Sequence, residues 1–582
     1  MVICNIVMQQ CCSTCRGVAV NLLDRPEAAG LLVRPPSRPK QRLVAVVLGV
    51  AAVGIVAGGC SGGTTGSKRD GAALELVNTT PKGAGAVEDV TWALPDGEPP
   101  TIDPAKSGSE SSNTVVTNLC DSLLRLEPDW SISSALATSA EWTDDTTFVI
   151  ALRDDATFWD GSKVTADDVV FSLQRQMDPK TQAVNASVFD NVDTIKETGP
   201  LEVTISFTAH DSVFRDAMAS IAGDIMQRAF TEKTGDQVGT PSGGLMCSGA
   251  YSLVSWTSGK DIKITANDAW WGGKPKVQNL TFEFISDDAT LTSALAAGEI
   301  DGSFGLPPGS VAGLRKSGSG SVFAGPSSSS ISMSPTTSDG PAADPKIRAA
   351  LDLAIDKKAF VKNQLRGAGE VQKTLTPELV WSGDDAAATY RAGYDALPDT
   401  DRDLAAAKKL LATTTVPDKT LTIAVSAGDQ LTLQAATLAQ AAGKELGIEL
   451  RIKQLQATEF SELFYDAAKR ESVDFVVTTG YIEYPGALVY ASLFALPDTI
   501  FNWSGYSDDE VTTKLQEARA ATDPQAAAAA FVDAQKVFAP ARLQISFANA
   551  YSLLFMNKRI TGAPASFSYI STPWAADLGG TK

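Results

Sequence analysis

Carboxylates are the most frequent charged groups of this chain, with 68 Asp and Glu residues against 49 Lys and Arg residues. A dense group of them lies in the stretch FVIALRDDATFWDGSKVTADDVVFSLQRQ, residues 148–176. Two carboxylates held close together could serve as the acid and base of a hydrolase, and a larger group could bind a metal ion. The single histidine, His210, argues against His-rich metal sites and His-dependent acid–base chemistry.

Local elements account for the acids of this stretch. TFVIALR has the composition of a strand, DDATFWDGS that of a turn, and Thr165 with Asp168 predicts a capping box at the start of a helix. Asp160 precedes the turn glycine, and Asp167 lies in the first helical turn, where the helix dipole favours negative charge. We therefore interpret the stretch as structural and not as a catalytic centre.

Length and charge exclude several classes of protein. A chain of 582 residues predicts two or three folded lobes, and a net charge of -19 argues against nucleic-acid binding. A hydrolase would need a nucleophile motif, but no G-x-S-x-G follows residue 63, and His210 beside Asp211 has no partner set. An exported hydrolase stays an alternative that turnover of peptides or glycosides would support.

The first 59 residues read as a targeting signal. A basic stretch at 34–42 precedes fifteen apolar residues, LVAVVLGVAAVGIVA, and then GGCSGG. This order resembles a bacterial lipoprotein signal with Cys60 as the lipidated residue, while an uncleaved membrane span is the alternative. The Cys-rich segment CNIVMQQCCSTC lies upstream of the basic stretch, so we expect translation to start near Val33 and no metal module there.

Residues 60–87 are rich in Gly, Ser and Thr and predict a flexible tether behind the lipid anchor. Two further cysteines follow, Cys120 and Cys247. In an oxidising compartment they predict one disulfide, with two buried thiols as the alternative.

The second half of the chain contains a βαβαβ pattern. LTIAVS, IELRIK and VDFVVTT have strand character and alternate with two helical segments, which predicts a parallel sheet. Ligands of such sheets bind beyond the carboxyl ends of the strands. The residues at that exit are GYIEYPGA, with Tyr481, Glu483 and Tyr484.

An ordered set of motifs resembles the family 5 extracytoplasmic solute-binding proteins, the peptide and nickel receptors of ABC importers. The motifs are PPTIDPA, SAEWTDDTTFVIALRDDATFWDGSKVTADDVVFSLQR, SGAYSLVSW, NDAWWGGKPKVQNLTFEFI, DPKIRAALDLAIDKKAFV, AAAKKLLA and NWSGYSDDEV. They span nearly everything from residue 90 onwards, and their order makes the resemblance specific.

The resemblance implies an α/β, two-lobed periplasmic-binding-protein-like fold of cluster C type, with the ligand cleft between the lobes. The first lobe would comprise residues 88–130, 244–335 and 530–582, an inserted subdomain would occupy 131–243, and the second lobe would fill 336–529. It also implies that GPSSSSISMSPTTSDGPAADP contains a strand crossing between the lobes, although its composition is typical of a linker.

The resemblance further suggests ligand-binding residues. Family members that bind peptides use an Asp-Tyr segment to hold the peptide's α-ammonium, and Glu483 before Tyr484 takes that place, with Tyr481 nearby; a solvated loop acid is the alternative. Three further regions are candidates for the cleft, with a core role as the alternative for each: Asp96, Gly97 and Glu98; Tyr251; and Trp503.

We therefore expect a non-enzymatic receptor, a monomer without cofactor or metal, held by its lipid at the outer face of the cytoplasmic membrane or in the periplasm. It would deliver a peptide to the transmembrane subunits of an ABC permease and would bind no nucleic acid. The alternatives are a receptor for a sugar or metal chelate and an envelope scaffold that has lost transport.

Overall fold

The computed structural model describes residues 74–378, 386–415 and 420–582. The predicted signal peptide, the predicted start near Val33 and the predicted lipidation site Cys60 lie outside the described residues. Within these ranges, no helix is both long and apolar enough to cross a membrane.

The strands are short and spread along the whole described chain. In chain order they are β1 Val87–Ala93, β2 Leu124–Leu126, β3 Ile132–Ser134, β4 Ala137–Asp144, β5 Thr147–Leu152, β6 Val192–Gly199, β7 Glu202–Phe207, β8 Tyr251–Thr257, β9 Asp261–Ala266, β10 Val277–Glu283, β11 Gly302–Ser303, β12 Gly320–Gly325, β13 Ser330–Pro335, β14 Gly369–Val371, β15 Leu421–Ser426, β16 Leu450–Leu455, β17 Phe475–Gly480, β18 Ile545–Ala550, β19 Ser552–Asn557, β20 Ile560–Thr561 and β21 Gly579–Gly580.

The helices lie between these strands. They are α1 Glu110–Leu119, α2 Ala166–Met177, α3 Phe214–Ala217, α4 Arg228–Thr234, α5 Asp288–Ala297, α6 Val311–Ser317, α7 Pro345–Ala354, α8 Lys357–Asn363, α9 Ala387–Asp395, α10 Leu404–Leu411, α11 Gln430–Leu446, α12 Ala457–Tyr465, α13 Ala467–Arg470, α14 Ala487–Ala495, α15 Asp509–Ala520 and α16 Pro524–Phe538.

Three sheets organise the described residues. A seven-stranded sheet in the order β12-β19-β11-β1-β10-β9-β8 forms what we call the first lobe. A six-stranded sheet in the order β14-β18-β13-β17-β15-β16 forms the second lobe. A four-stranded sheet in the order β4-β5-β7-β6, with helix α2 packed against it, forms the inserted subdomain. This arrangement confirms the predicted two-lobed α/β fold.

The stretch that first suggested chemistry is structural. Thr165 and Asp168 form the predicted capping box of α2, and the carboxylate of Asp160 accepts the N–H of Ser162 in the turn. Asp167 forms an exposed ion pair with Arg228 at 2.7 Å.

The βαβαβ prediction for the second lobe is confirmed. β15 pairs in parallel with both β16 and β17, with α11 and α12 as the connecting helices. The alanine-rich face of α11 packs into the apolar core that Ile423 and Val425 of β15 also enter. The carboxyl end of β17 therefore leads directly into the segment that contains Glu483.

The chain crosses between the lobes at two described places. Residues 326–329 join β12 of the first lobe to β13 of the second, and Tyr551 joins β18 of the second lobe to β19 of the first. The Ser-rich segment forms the expected strand because apolar and polar side chains alternate along it. Ile331 and Met333 enter the apolar core, and the Ser334 hydroxyl accepts the amide N–H of Gln544 at 3.0 Å.

Strand pairing amends the predicted domain limits, which otherwise stay a prediction. β13 and β18 belong to the second lobe's sheet, although the prediction placed residues up to 335 and all of 530–582 in the first lobe. Each pairs along its length with second-lobe strands, β13 with β17 and β18 with β13 and β14.

The predicted flexible tether is corrected for its described part. Residues 74–86 lie along the first lobe, where Val77 N–H bonds to the Ala324 carbonyl at 2.9 Å and Ala84 N–H to the Gly580 carbonyl at 2.8 Å. The hydroxyl of Thr80 donates to the Ala563 carbonyl. Backbone hydrogen bonds to distant residues, which composition cannot reveal, hold this segment in place.

Candidate ligand site between the lobes

Glu483 lies in the segment that follows β17, and its neighbours fix that segment. The hydroxyl of Ser328, in the first crossing, donates to the Ile482 carbonyl at 2.7 Å and accepts the Ile482 N–H at 3.2 Å. The hydroxyl of Ser571 donates to the Glu483 carbonyl at 2.8 Å. The crossing and the C-terminal part of the chain therefore both hold the backbone around Glu483.

The Glu483 carboxylate accepts hydrogen bonds from two amide side chains outside the second lobe. Asn113 Nδ2, on α1, lies 3.0 Å from one oxygen, and Asn185 Nδ2, after α2, lies 3.1 Å from the other. Burial raises the pKa of the Glu483 carboxyl to about 7, while the bonds from Asn185 and Asn113 oppose that rise. Glu483 is thus a second-lobe acid placed against the first lobe and the inserted subdomain.

The two tyrosines beside Glu483 have different environments. The Tyr481 ring packs edge-on against the Phe567 ring, with 5.4 Å between the ring centres. The Tyr481 hydroxyl donates a hydrogen bond of 3.3 Å to the Gly108 carbonyl of the first lobe. Tyr484 is almost fully buried, and its hydroxyl has no hydrogen-bond partner among the described residues. Tyr481 therefore borders the contact between the lobes, whereas Tyr484 belongs to the core around it.

A second acidic group lies at the start of α1. Glu110 accepts the hydroxyl of Tyr569, and burial raises the pKa of its carboxyl to about 8. Asp96 is exposed overall, but its carboxyl group lies close to the protein. The resulting desolvation raises the pKa of this carboxyl, and hydrogen bonds from the backbone N–H groups of Ser111 and Glu110 oppose the rise. Asp96, Glu110 and Glu483 all act electrostatically on Tyr481, so these three acids share one region.

Glu98 has a structural environment. Its carboxylate accepts the indole N–H of Trp256 at 3.0 Å, the Ser258 hydroxyl at 2.8 Å and the Gly259 N–H at 2.8 Å. These three donors engage the carboxylate in the β8–β9 hairpin, and a contact of Glu98 with ligand stays a prediction. Gly97 is buried with φ +78°, which a residue with a side chain rarely adopts, so it serves the turn after β1.

Tyr251 and Trp503 lie in environments that fit the core role, which was the alternative for each. Tyr251 is fully buried, and its hydroxyl donates to the carbonyls of Val277 and Ala575, so it is a core residue of the first lobe. Trp503 packs against Phe464 and lies under the Arg470 guanidinium at 4.8 Å, in an aromatic group of the second lobe. The structure groups neither residue with Glu483.

Cys120 and Cys247 form a disulfide that joins the end of α1 to the segment before β8. Next to it, Asp121 accepts the indole N–H groups of Trp270 and Trp271. Within the described ranges, no group of three or more His, Cys, Asp or Glu residues could hold a metal ion.

The single histidine, His210, lies in the inserted subdomain, where the centres of its ring and the Trp142 ring are 4.3 Å apart.

Four residues of the site were not predicted: Asn113, Asn185, Glu110 and Tyr569. They carry no motif, so the sequence offered no signal for them. They reach Glu483 or its surroundings only through the fold.

Known proteins resemble this chain along most of its length. Residues 131–502 match the family described as bacterial extracellular solute-binding proteins, family 5, middle region. The glutathione-binding protein GsiB of Salmonella paratyphi A is 26% identical over 445 residues, which cover 75% of this chain and 84% of that protein.

Solved structures share the fold. The oligopeptide-binding protein AppA from Bacillus subtilis, in complex with a nonapeptide, superposes with a TM-score of 0.74 at 18% identity and covers 86% of this chain and 100% of AppA. NikA from Staphylococcus aureus, in complex with nickel and L-histidine, gives a TM-score of 0.71 at 18% identity over 83% of this chain and 98% of NikA.

The match to the family extends over well more than half of the chain, and the described fold has the two lobes and crossings that such a receptor needs to close on a solute. Proteins of this family serve transport and are not enzymes. The chain belongs to family 5 of the bacterial extracellular solute-binding proteins and is a substrate-binding protein of an ABC importer.

Proposed function

We propose that the protein captures peptides through their free α-amine and delivers them to the transmembrane subunits of an ABC permease. The observation that carries this proposal is the position of Glu483. Its carboxylate follows the carboxyl end of β17, the place where ligands of parallel sheets bind, and it faces the first lobe.

The surroundings of Glu483 suit an ammonium ligand. A carboxylate withdrawn from water gains more from a positive partner than an exposed one does, because the local dielectric is low. The nearby carboxylate of Asp96 adds negative potential, and the half-buried Tyr481 offers an apolar surface that suits many side chains. A receptor of this kind would require a free α-amine on the peptide and would tolerate many different side chains.

The same proposal includes the membrane anchor. Cys60 would carry the lipid, and the residues before 74 would link it to the segment that lies along the first lobe. The protein would then act as a monomer on the outer face of the cytoplasmic membrane or in the periplasm.

One alternative ligand has specific support from a relative. GsiB is named a glutathione-binding protein, and glutathione also carries a free α-amine that a carboxylate such as Glu483 could bind. Nothing among the described residues favours a sugar, a metal chelate or a scaffold role without ligand over a peptide.

Mass spectrometry of the small molecules that co-purify with the mature protein tests the proposal. We expect peptides or another solute with a free α-amine. A sugar or a nickel chelate as the bound molecule would contradict it. A protein that carries no solute and does not close on addition of peptides would support the scaffold role instead.

A further inference from the structure

The two amides at Glu483 come from separate parts of the protein. Asn113 is fully buried on α1 of the first lobe, and Asn185 is half-buried in the inserted subdomain. Each donates to a different oxygen of the same carboxylate, at 3.0 and 3.1 Å. The three segments meet at one carboxyl group of the second lobe.

The orientation of the Asn113 amide is determined by its second hydrogen bond. The buried hydroxyl of Ser107 donates to Asn113 Oδ1 at 2.5 Å, so the other end of the amide, Nδ2, must face Glu483. Ser107 itself lies just before α1, at the end of a short turn. The first lobe thus presents a fixed donor to the second lobe.

The charge of Glu483 depends on these donors. Burial favours the neutral acid, and the two amide bonds favour the carboxylate. Glu483 acts electrostatically on Tyr481, Tyr484 and Asp224; Asp96 and Glu110 also act on Tyr481, and Arg519 also acts on Tyr484. Tyrosine is neutral at pH 7 and neighbouring acids do not favour the carboxylate, so the two amides are the groups that oppose desolvation of Glu483.

We propose that Asn113 and Asn185 are the positioning residues of the ligand site, which keep Glu483 ionised and aimed at the ligand's ammonium group when the lobes close. This inference rests on the proposed amine-binding function. Both amides lie outside the second lobe that carries Glu483, so the anchor is complete in the described arrangement, and amine binding is coupled to the contact between the lobes.

The test measures peptide affinity against pH for the wild type and for Asn113→Leu and Asn185→Leu. Each variant loses one hydrogen bond to an ionised group, so the pH midpoint below which Glu483 is protonated and affinity is lost should rise by about one unit. At pH 7 this shift lowers the ionised fraction of Glu483 from about one half to about one eleventh, which corresponds to roughly fivefold weaker binding. Asn185→Gln, which keeps an amide donor, should recover part of the loss.

The matched control is Asn118→Leu on the same helix. Asn118 is also fully buried, but its amide bonds to the Thr114 carbonyl and the Ala575 N–H and not to Glu483. This variant should lower stability and leave the pH midpoint unchanged. If Asn113→Leu does not fold, Asn185→Leu still tests the inference, because Asn185 is half-buried in a loop and its replacement should leave the protein folded.

A second readout separates this inference from the proposed function. Carbon-13 NMR of the glutamate carboxyl groups, assigned with Glu483→Gln, reports the pKa of Glu483 without any ligand. A pKa that rises in both Asn variants supports the positioning role even if no peptide binds, in which case the peptide function alone fails. An unchanged pKa and an unchanged pH midpoint in both variants would overturn the inference.

Discussion

The contact between Asp211 and Arg519 joins the inserted subdomain to the second lobe and should contribute to closure. Arg519 Nε and Nη2 both approach one oxygen of Asp211 at 2.8 Å. The Asp211 side chain is 0% exposed and the Arg519 side chain 23% exposed, so the pair is partly desolvated. Asp211 also accepts the Asn191 amide at 3.0 Å and the Val213 N–H at 3.2 Å.

Arg519→Met should therefore weaken ligand binding without touching the ligand site. Removing one partner of a buried pair costs about 3–5 kcal/mol, but the exposed quarter of Arg519 and the two remaining donors to Asp211 reduce this to about 2 kcal/mol. In the open arrangement Asp211 would be hydrated, so the cost falls on the closed arrangement. The apparent Kd should rise by up to about 30-fold, since about 1.4 kcal/mol is a factor of ten.

Titration calorimetry with the bound solute measures the effect, and small-angle scattering reports whether the free protein becomes more open. Arg228→Met is the matched control, because Arg228 forms exposed pairs with Asp167 and Glu232 inside the inserted subdomain. We expect less than about a twofold change for it. In an Asp211→Asn background, Arg519→Met should cost much less. A folded Arg519→Met protein with wild-type affinity would refute the reasoning.

Three further predictions concern the anchor, the disulfide and the titration of the site. Cys60→Ser should release the protein from the membrane fraction, and persistent tight retention would favour an uncleaved span. Non-reducing peptide mapping of natively purified protein should find Cys120 joined to Cys247, whereas two alkylated thiols would contradict the bond. Because the pKa of Glu483 is about 7, an ammonium ligand should lower it and release about half a proton at pH 7. Calorimetry in buffers of different ionisation enthalpy measures that release, which Glu483→Gln should abolish.

Periodicity was sufficient to predict the elements that depend on local sequence. The alternation of apolar residues predicted β15, β16 and β17 with their helices, and the residue types at 165 and 168 predicted the capping box of α2. The placement of Glu483 beyond a strand end followed from the same pattern, because the carboxyl ends of parallel strands share one edge.

Contacts between distant segments were not predictable in this way. Asn113 and Asn185 lie 370 and 298 positions before Glu483, and a lone asparagine has no local pattern that shows which carboxylate it will meet. The surroundings of Glu98 and Tyr251 were not predictable for a related reason. Their positions in the motifs suggested a cleft, whereas the β8–β9 hairpin and the C-terminal carbonyls engage these side chains.

The central claim, that Glu483 binds the α-amine of a peptide, is tested most directly by calorimetry on four pairings. Wild type and Glu483→Gln are each titrated with a free peptide and with the same peptide acetylated at its amine. Either single change should weaken binding at least tenfold, because a desolvated charge pair is worth about 2–5 kcal/mol. The two changes together should cost little more than one, since both remove the same interaction. Additive losses, or indifference to acetylation, would contradict the account.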